Sequence, residues 1–87
     1  MLDKRLDEIT MDELATVLRA IWPDMLFLTF NNNYRKLSSS LLGDVRFYRH
    51  AGKYVCTTIG VVVTVGDVVT GMRKKAHSLR AELFEVA

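Results

Sequence analysis

One cysteine among 87 residues leaves no internal disulfide and no cysteine-rich zinc site. A single proline and five glycines leave few chain breaks, with no linker and no low-complexity tract. No apolar run approaches the ~20 residues that a membrane-spanning helix needs. There is no G-x-S-x-G, no Walker loop and no H-E-x-x-H. The two histidines, His50 and His77, fall on different expected elements, and Cys56 falls mid-strand on an expected core face, where a thiol is usually inert. No catalytic residue, metal or cofactor is therefore expected. Met1-Leu2-Asp3-Lys4-Arg5 runs into acids, so no signal peptide is expected and the cytoplasm is the expected location. A net charge of +2 excludes a protein that imitates DNA by wholesale negative charge.

What remains has the composition of a folded domain. At 49% hydrophobic and 25% charged residues, the chain is not wholly disordered. Its length predicts one domain over residues 1–87 and allows one core. Charge is polarised. Residues 1–24 carry three bases and six acids, whereas residues 25–87 carry nine bases and four acids.

Thr10 and Glu13 form a T-x-x-E capping box ahead of Met11, Leu14, Ala15, Leu18, Ile21 and Trp22. That spacing predicts an amphipathic helix ending at Pro23. Leu2, Leu6 and Ile9 suggest a short helix before it. Met25 to Phe30 reads as a strand and Asn31–Asn33 as a turn. Tyr34 to Leu37 reads as a possible return strand, and Ser38 to Gly43 as a loop or one helical turn. Val45–His50 and Lys53–Ile59 read as a hairpin about Ala51-Gly52. A two-residue turn pairs His50 with Lys53, Arg49 with Tyr54, Tyr48 with Val55 and Phe47 with Cys56. Alternation then puts Val45, Phe47, Tyr54 and Cys56 on a core face. Arg46, Tyr48, His50, Lys53, Val55 and Thr57 fall on an exposed one.

Gly60 marks a bulge, and Val61–Val65 continues as a strand. Asp67 is the expected N-cap of a last helix with Val68, Val69, Met72, Ala76, Leu79 and Leu83 as its stripe. A Gly-Asp hairpin leading into a strand over Val68–Thr70 is the alternative. The sum is a small two-layer α+β domain. It has an antiparallel sheet of three to four strands flanked by an N-terminal and a C-terminal helix, in α-β-β-β-α order.

Two basic groups stand out. Arg35, Lys36, Arg46, Arg49 and Lys53 lie among Tyr34, Tyr48 and His50, a mixture suited to single-stranded nucleic acid. Arg73, Lys74, Lys75, His77 and Arg80 precede Glu82 and Glu85 on the last helix, an order that opposes the helix dipole. A helix, three strands and a helix, with Arg73-Lys74-Lys75-Ala76 early in the last, is similar to a double-stranded RNA-binding domain. The similarity spans residues 11–84 and implies phosphate contacts from that segment. The glycine-rich approach of that family is reduced here to Gly66 and Gly71.

The leading expectation is a non-enzymatic binding protein. It acts as an inhibitor or adaptor on a larger protein or a protein–nucleic acid complex, away from any membrane. The alternative is a module binding RNA or DNA directly. Either would use Arg35, Lys36, Arg46, Tyr48, Lys53, Arg73, Lys74, Lys75 and Arg80. Val61, Val62 and Val63 are apolar on both faces of their strand, and two helices cover only one face. The N-terminal segment covers the other face, or a second copy does. A homodimer with these valines at the contact is expected.

Overall fold

The fold was analysed in a computed structural model that describes residues 1–86, with side chains described through residue 80. The order is α1 (Met11–Ile21), β1 (Leu26–Phe30), β2 (Tyr34–Ser39), β3 (Gly43–His50), β4 (Lys53–Cys56), β5 (Gly60–Val62) and α2 (Val65–Val86). The five strands form an antiparallel sheet in chain order, β1-β2-β3-β4-β5. The expected class holds, with five strands rather than three or four.

α1 starts where the capping box places it. The Thr10 hydroxyl accepts from the Glu13 N–H at 3.2 Å, and the Glu13 carboxylate accepts from the Thr10 N–H. Leu14, Ala15 and Leu18 are its buried residues, and Trp22 closes it by donating its N–H to the Leu18 carbonyl.

Each hairpin has a local cause. After β1, the Asn31 side chain accepts from the N–H groups of Asn33 and Tyr34 at 3.0 and 2.8 Å, a side-chain-made turn. Residues 40–42 form the next turn, so the expected loop over Ser38–Gly43 is two residues too wide at its start. The β3–β4 turn has two residues, Ala51 and Gly52, both at positive φ (51° and 77°). That geometry matches the twist of the flanking strands. The observed register is the expected one at all four pairs, from His50 with Lys53 to Phe47 with Cys56.

The chain from Thr57 departs from expectation. Thr57–Ile59 form a turn, β5 is only three residues long, and Val65 is already helical. Asp67 is not the N-cap. The Thr64 hydroxyl accepts from the Asp67 N–H at 3.2 Å, while Asp67 Oδ2 accepts from the N–H groups of Val63 and Thr64 at 2.9 and 3.0 Å. This is a reciprocal capping box with Thr64 at the cap, and it moves the cap back three residues from Asp67. Val68–Thr70 are helical, so the hairpin alternative does not hold, and Gly71 lies inside α2. A Cβ there would stand 2.9 Å from the Ile59 Cβ, so the glycine lets the β4–β5 turn lie against the helix.

The N-terminal segment is not a helix. Arg5 to Ile9 make one turn, with the Glu8 and Ile9 N–H groups both donating to the Arg5 carbonyl. Leu6 and Ile9 are buried, while Leu2 is exposed. The segment crosses the end of β5 and meets α2. Arg5 bridges Thr64, and the Val65 and Gly66 N–H groups donate to the Lys4 and Leu2 carbonyls.

Both helices pack on the same face of the sheet. Leu37, Val45, Phe47, Tyr54, Cys56 and Val62 from the sheet share one buried cluster with Leu14 and Leu18 of α1 and with Val65, Val68 and Met72 of α2. The apolar stripe of α2 holds from Val68 through Leu79, while Leu83 lies outside the described side chains. The other face of the sheet carries no helix.

Two substitutions test these local causes. Hydrogen bonds from the Thr64 and Val63 N–H groups hold the Asp67 carboxyl below its usual pKa. Its contribution is therefore present above the unfolded-state value of about 4 and lost as pH falls through the lower folded-state value. Asp67→Ala should lower stability at neutral pH by about 1 kcal/mol. In urea titrations, the gap from the parent chain should narrow as pH approaches 3. Gly71→Ala in an open helix would add about 1 kcal/mol of stability. Here overpacking against Ile59 should reverse the sign and lower the thermal midpoint.

Candidate functional site

The helix-free face of the sheet is built by strand alternation. Tyr34 pairs with Tyr48, Tyr48 with Val55, and Val55 with Val61. These four residues make one row across β2, β3, β4 and β5, about 14 Å long at ~4.8 Å per strand. Tyr48, Val55 and Val61 are 45%, 37% and 60% exposed, which is unusual for neighbouring large apolar side chains. The Tyr34 and Tyr48 rings lie 4.9 Å apart at 35°.

Polar residues flank the row. On one side Lys36 pairs with Arg46, and beyond them Asp44 sits 3.6 Å from Lys36 Nζ and 3.5 Å from Arg46 Nη2. On the other side His50 pairs with Lys53, both exposed. The expected exposed face of the β3–β4 hairpin is thus reproduced. Lys36, Arg46, Tyr48 and Lys53 share one surface.

Arg35 does not join them. It has the parity of Leu37, pairs with Phe47 and is only 3% exposed. Its guanidinium lies 4.2 Å from the Phe30 ring centroid and 4.6 Å from that of Tyr54, and Nη1 donates to the Leu6 carbonyl. Burial lowers its pKa from the usual arginine value. Among the described residues its Nε has no partner. Arg35 is a piece of the core held by two aromatic faces, and this corrects its expected place on a binding surface. The signal was the two-residue step to Leu37: once Leu37 faces inward, so does Arg35. Arg49 also has inner parity, pairing with Tyr54. Its charge helps hold the Asp7 carboxyl below its usual range, after the larger effect of the hydrogen-bonded Arg5 guanidinium.

The bases of α2 lie on the other side of the molecule. Arg73, Lys74, His77 and Arg80 are exposed and Lys75 is half-buried, all on the helix layer. Arg73, His77 and Arg80 line an open groove of about 300 Å³ with Ala76 and with Ile21 and Trp22 at the end of α1. The last carbonyls of a helix carry partial negative charge. The end of α1 therefore favours cations at this place on α2. Glu82 and Glu85 lie outside the described side chains. Because α2 starts at Val65, the Arg73–Lys75 segment sits more than two turns in, not at the start as the similarity to double-stranded RNA-binding domains implies.

The three valines separate. Val61 is exposed and closes the row described above. Val62 is 2% exposed, pairs with Tyr54 and belongs to the core of its own chain, which removes it from any contact with a second copy. Val63 is half-buried, and its carbonyl accepts from the Leu6 N–H. Leu26 and Leu28 of β1, at 56% and 52% exposed, were not anticipated as surface residues. Neither is marked by the sequence, because a strand over Met25 to Phe30 that is apolar at nearly every position shows no alternation to separate its faces.

Cys56 is buried, with Sγ 3.1 Å from the Thr58 hydroxyl. Among the described residues no three His, Cys, Asp or Glu side chains converge as a metal site, and no helix is long and apolar enough to cross a membrane. No protein-family model, curated protein or solved structure matches the chain.

The Arg35 assignment has a direct test. Replacing a buried ion with an apolar side chain of similar length is often neutral or stabilising. Arg35→Met should stay within about 1 kcal/mol of the parent, whereas Arg35→Ala should lose about 2 kcal/mol or more to the cavity between Phe30 and Tyr54. Urea unfolding of both variants decides it. A collapse of Arg35→Met would mean the charge itself is required.

Proposed function

We propose that the protein is a non-enzymatic binding module that docks a larger protein on its helix-free sheet face and acts as an inhibitor or adaptor by covering that partner's surface. The supporting observation is the row Tyr34–Tyr48–Val55–Val61 with Lys36, Asp44, Arg46, His50 and Lys53 around it. An apolar and aromatic centre inside a charged rim is the usual anatomy of a protein interface, and tyrosine is enriched among its strongest contacts. The rim has an excess of positive charge, so the matching surface is acidic at its border and apolar at its centre. A cytoplasmic setting suits the free, buried thiol of Cys56.

A second reading is single-stranded nucleic acid on the same face, favoured by Tyr48 between Arg46 and Lys53. It is the weaker of the two. The rings of Tyr34 and Tyr48 lie against each other, Asp44 engages both Lys36 and Arg46, Arg35 is in the core, and the bases of α2 face away.

The test is recovery of a stoichiometric partner from the native host after nuclease treatment, followed by titration of the purified pair. Tyr48→Ser and Val61→Asp should each weaken binding at least ~tenfold, the size of a strong interface contact. Arg73→Glu on the helix layer should change it little. Fluorescence anisotropy with a labelled single-stranded oligonucleotide separates the alternatives. Binding that falls steeply with salt, together with a partner lost to nuclease, would replace the protein-docking reading with the second one.

A further inference from the structure

The two edges of the sheet differ. β5 is short, and the N-terminal segment takes up the pairing next to it through the Arg5–Thr64 bridge and the Leu6 N–H to Val63 carbonyl hydrogen bond. β1 is five residues long and, among the described residues, pairs only with β2. Its sequence, Leu26-Phe27-Leu28-Thr29-Phe30, holds neither charge nor proline, the residues that normally blunt an edge. A register shift between Phe27 and Thr29 leaves Leu28 unpaired with β2, a bulge that bends the strand locally, and Leu26 and Leu28 stay more than half exposed.

The helix layer continues this edge. Arg19 Nε donates to the Met25 carbonyl at 3.0 Å, and its guanidinium lies 5.3 Å from the Phe27 ring centroid. The face of α1 that carries Arg19 is therefore the one above β1. Asp12, Ala15, Thr16 and Arg19 line an open groove of about 320 Å³ on that face. Its centre is made of small residues, and its two ends carry opposite charges.

That arrangement is complementary to itself. A two-fold axis normal to the sheet sets β1 antiparallel to the β1 of a second copy and α1 antiparallel to its α1. Asp12 of each chain then faces Arg19 of the other, while the exposed Thr16, with the small and buried Ala15 beside it at the floor of the groove, lets the helices approach closely. We infer that the chain forms a two-fold homodimer through β1 and the Asp12–Arg19 face of α1, joining two sheets into one of ten strands. A foreign extended peptide added to β1 would leave the Asp12–Arg19 face unmatched, whereas a second copy uses both layers. The two layers lie ~10 Å apart, and each exposes about 16–17 Å of length along the edge. Together they offer on the order of 500 Å² per subunit, close to the ~1,000 Å² total that a specific interface needs. The contact lies at the edge opposite Val61–Val63, and it does not depend on what binds the open face.

Sedimentation of the purified chain across the micromolar range tests the proposal. The parent should sediment as a dimer. Leu28→Lys, which sets lysine beside lysine across the axis, should give a monomer with an unchanged circular dichroism spectrum. Asp12→Arg and Arg19→Asp should each be monomeric alone, and mixing them should restore dimer mass, because each chain then supplies the charge the other lacks. A parent that stays monomeric overturns the inference. So does a dimer indifferent to Leu28→Lys, or a failure of the two charge variants to pair when mixed.

Discussion

Residues 2–6 hold the layers of this molecule to one another, and they do it with backbone groups. The Leu2 and Lys4 carbonyls accept from the Gly66 and Val65 N–H groups. These are among the donors that the start of α2 would otherwise leave unpaired. The Leu6 carbonyl accepts from the Arg35 guanidinium inside the core, and the Leu6 N–H extends the pairing beyond β5. One strap thus caps a helix, satisfies part of a buried cation and closes a sheet edge. Its own order rests on these bonds and on burying Leu6 and Ile9, which together offset the conformational entropy of a short segment with few internal hydrogen bonds. A cap at Thr64 and Asp67 then completes the first turn of α2 from within.

The legible parts of the sequence were those governed by local rules. The capping box at Thr10 and Glu13 and the stop at Pro23 gave α1 its bounds. The two-residue turn at Ala51-Gly52 set the register of β3 and β4, and register alone put Tyr48 out and Tyr54 in. Where side chains serve two roles, the reading failed. Val61, Val62 and Val65 are equally apolar, but Val61 is exposed, Val62 is core and Val65 opens a helix. What separates them is the turn at Thr57–Ile59 before the run and the cap that Thr64 makes with Asp67 beyond it. Arg35 misled for a related reason. A buried arginine without an acidic partner is marked in the sequence only by its strand parity with Leu37, because the aromatic faces that hold it come from β1 and β4.

Composition also explains why the apolar surface is where it is. Two helices suffice to cover one face of a five-stranded sheet, and there is no third among the described residues. The outer face must then be tolerable in water. It is so at Lys36, Asp44, Arg46, His50 and Lys53, but not along Tyr34–Tyr48–Val55–Val61. β-branched and aromatic side chains stabilise neighbouring strands through cross-strand contacts. That accounts for the packed tyrosine pair, since a Tyr34–Tyr48 contact strengthens β2 against β3 whether or not anything binds. It does not account for Val61, which lies at the end of the row on the shortest strand and is 60% exposed. The end of the row, more than its middle, is the part whose exposure needs a reason beyond the fold.

The open face and the open edge are therefore separate consequences of one asymmetry. The strap closes the β5 side of the sheet and both helices cover one face, which leaves β1 and the opposite face to solvent. Pairing at β1 about an axis normal to the sheet keeps both helix layers on one side and both bare faces on the other. The two rows then lie in a single surface, each starting at Tyr34 one strand in from the junction and ending at Val61 on an outer strand. Docking on one half leaves the other half free, so a partner with two matching surfaces would engage both without any new contact being made. Its apparent affinity would rise through effective concentration alone. For a domain this small, repetition about an axis is a more accessible route to a large binding surface than a longer strand, which its single core has no residues to support.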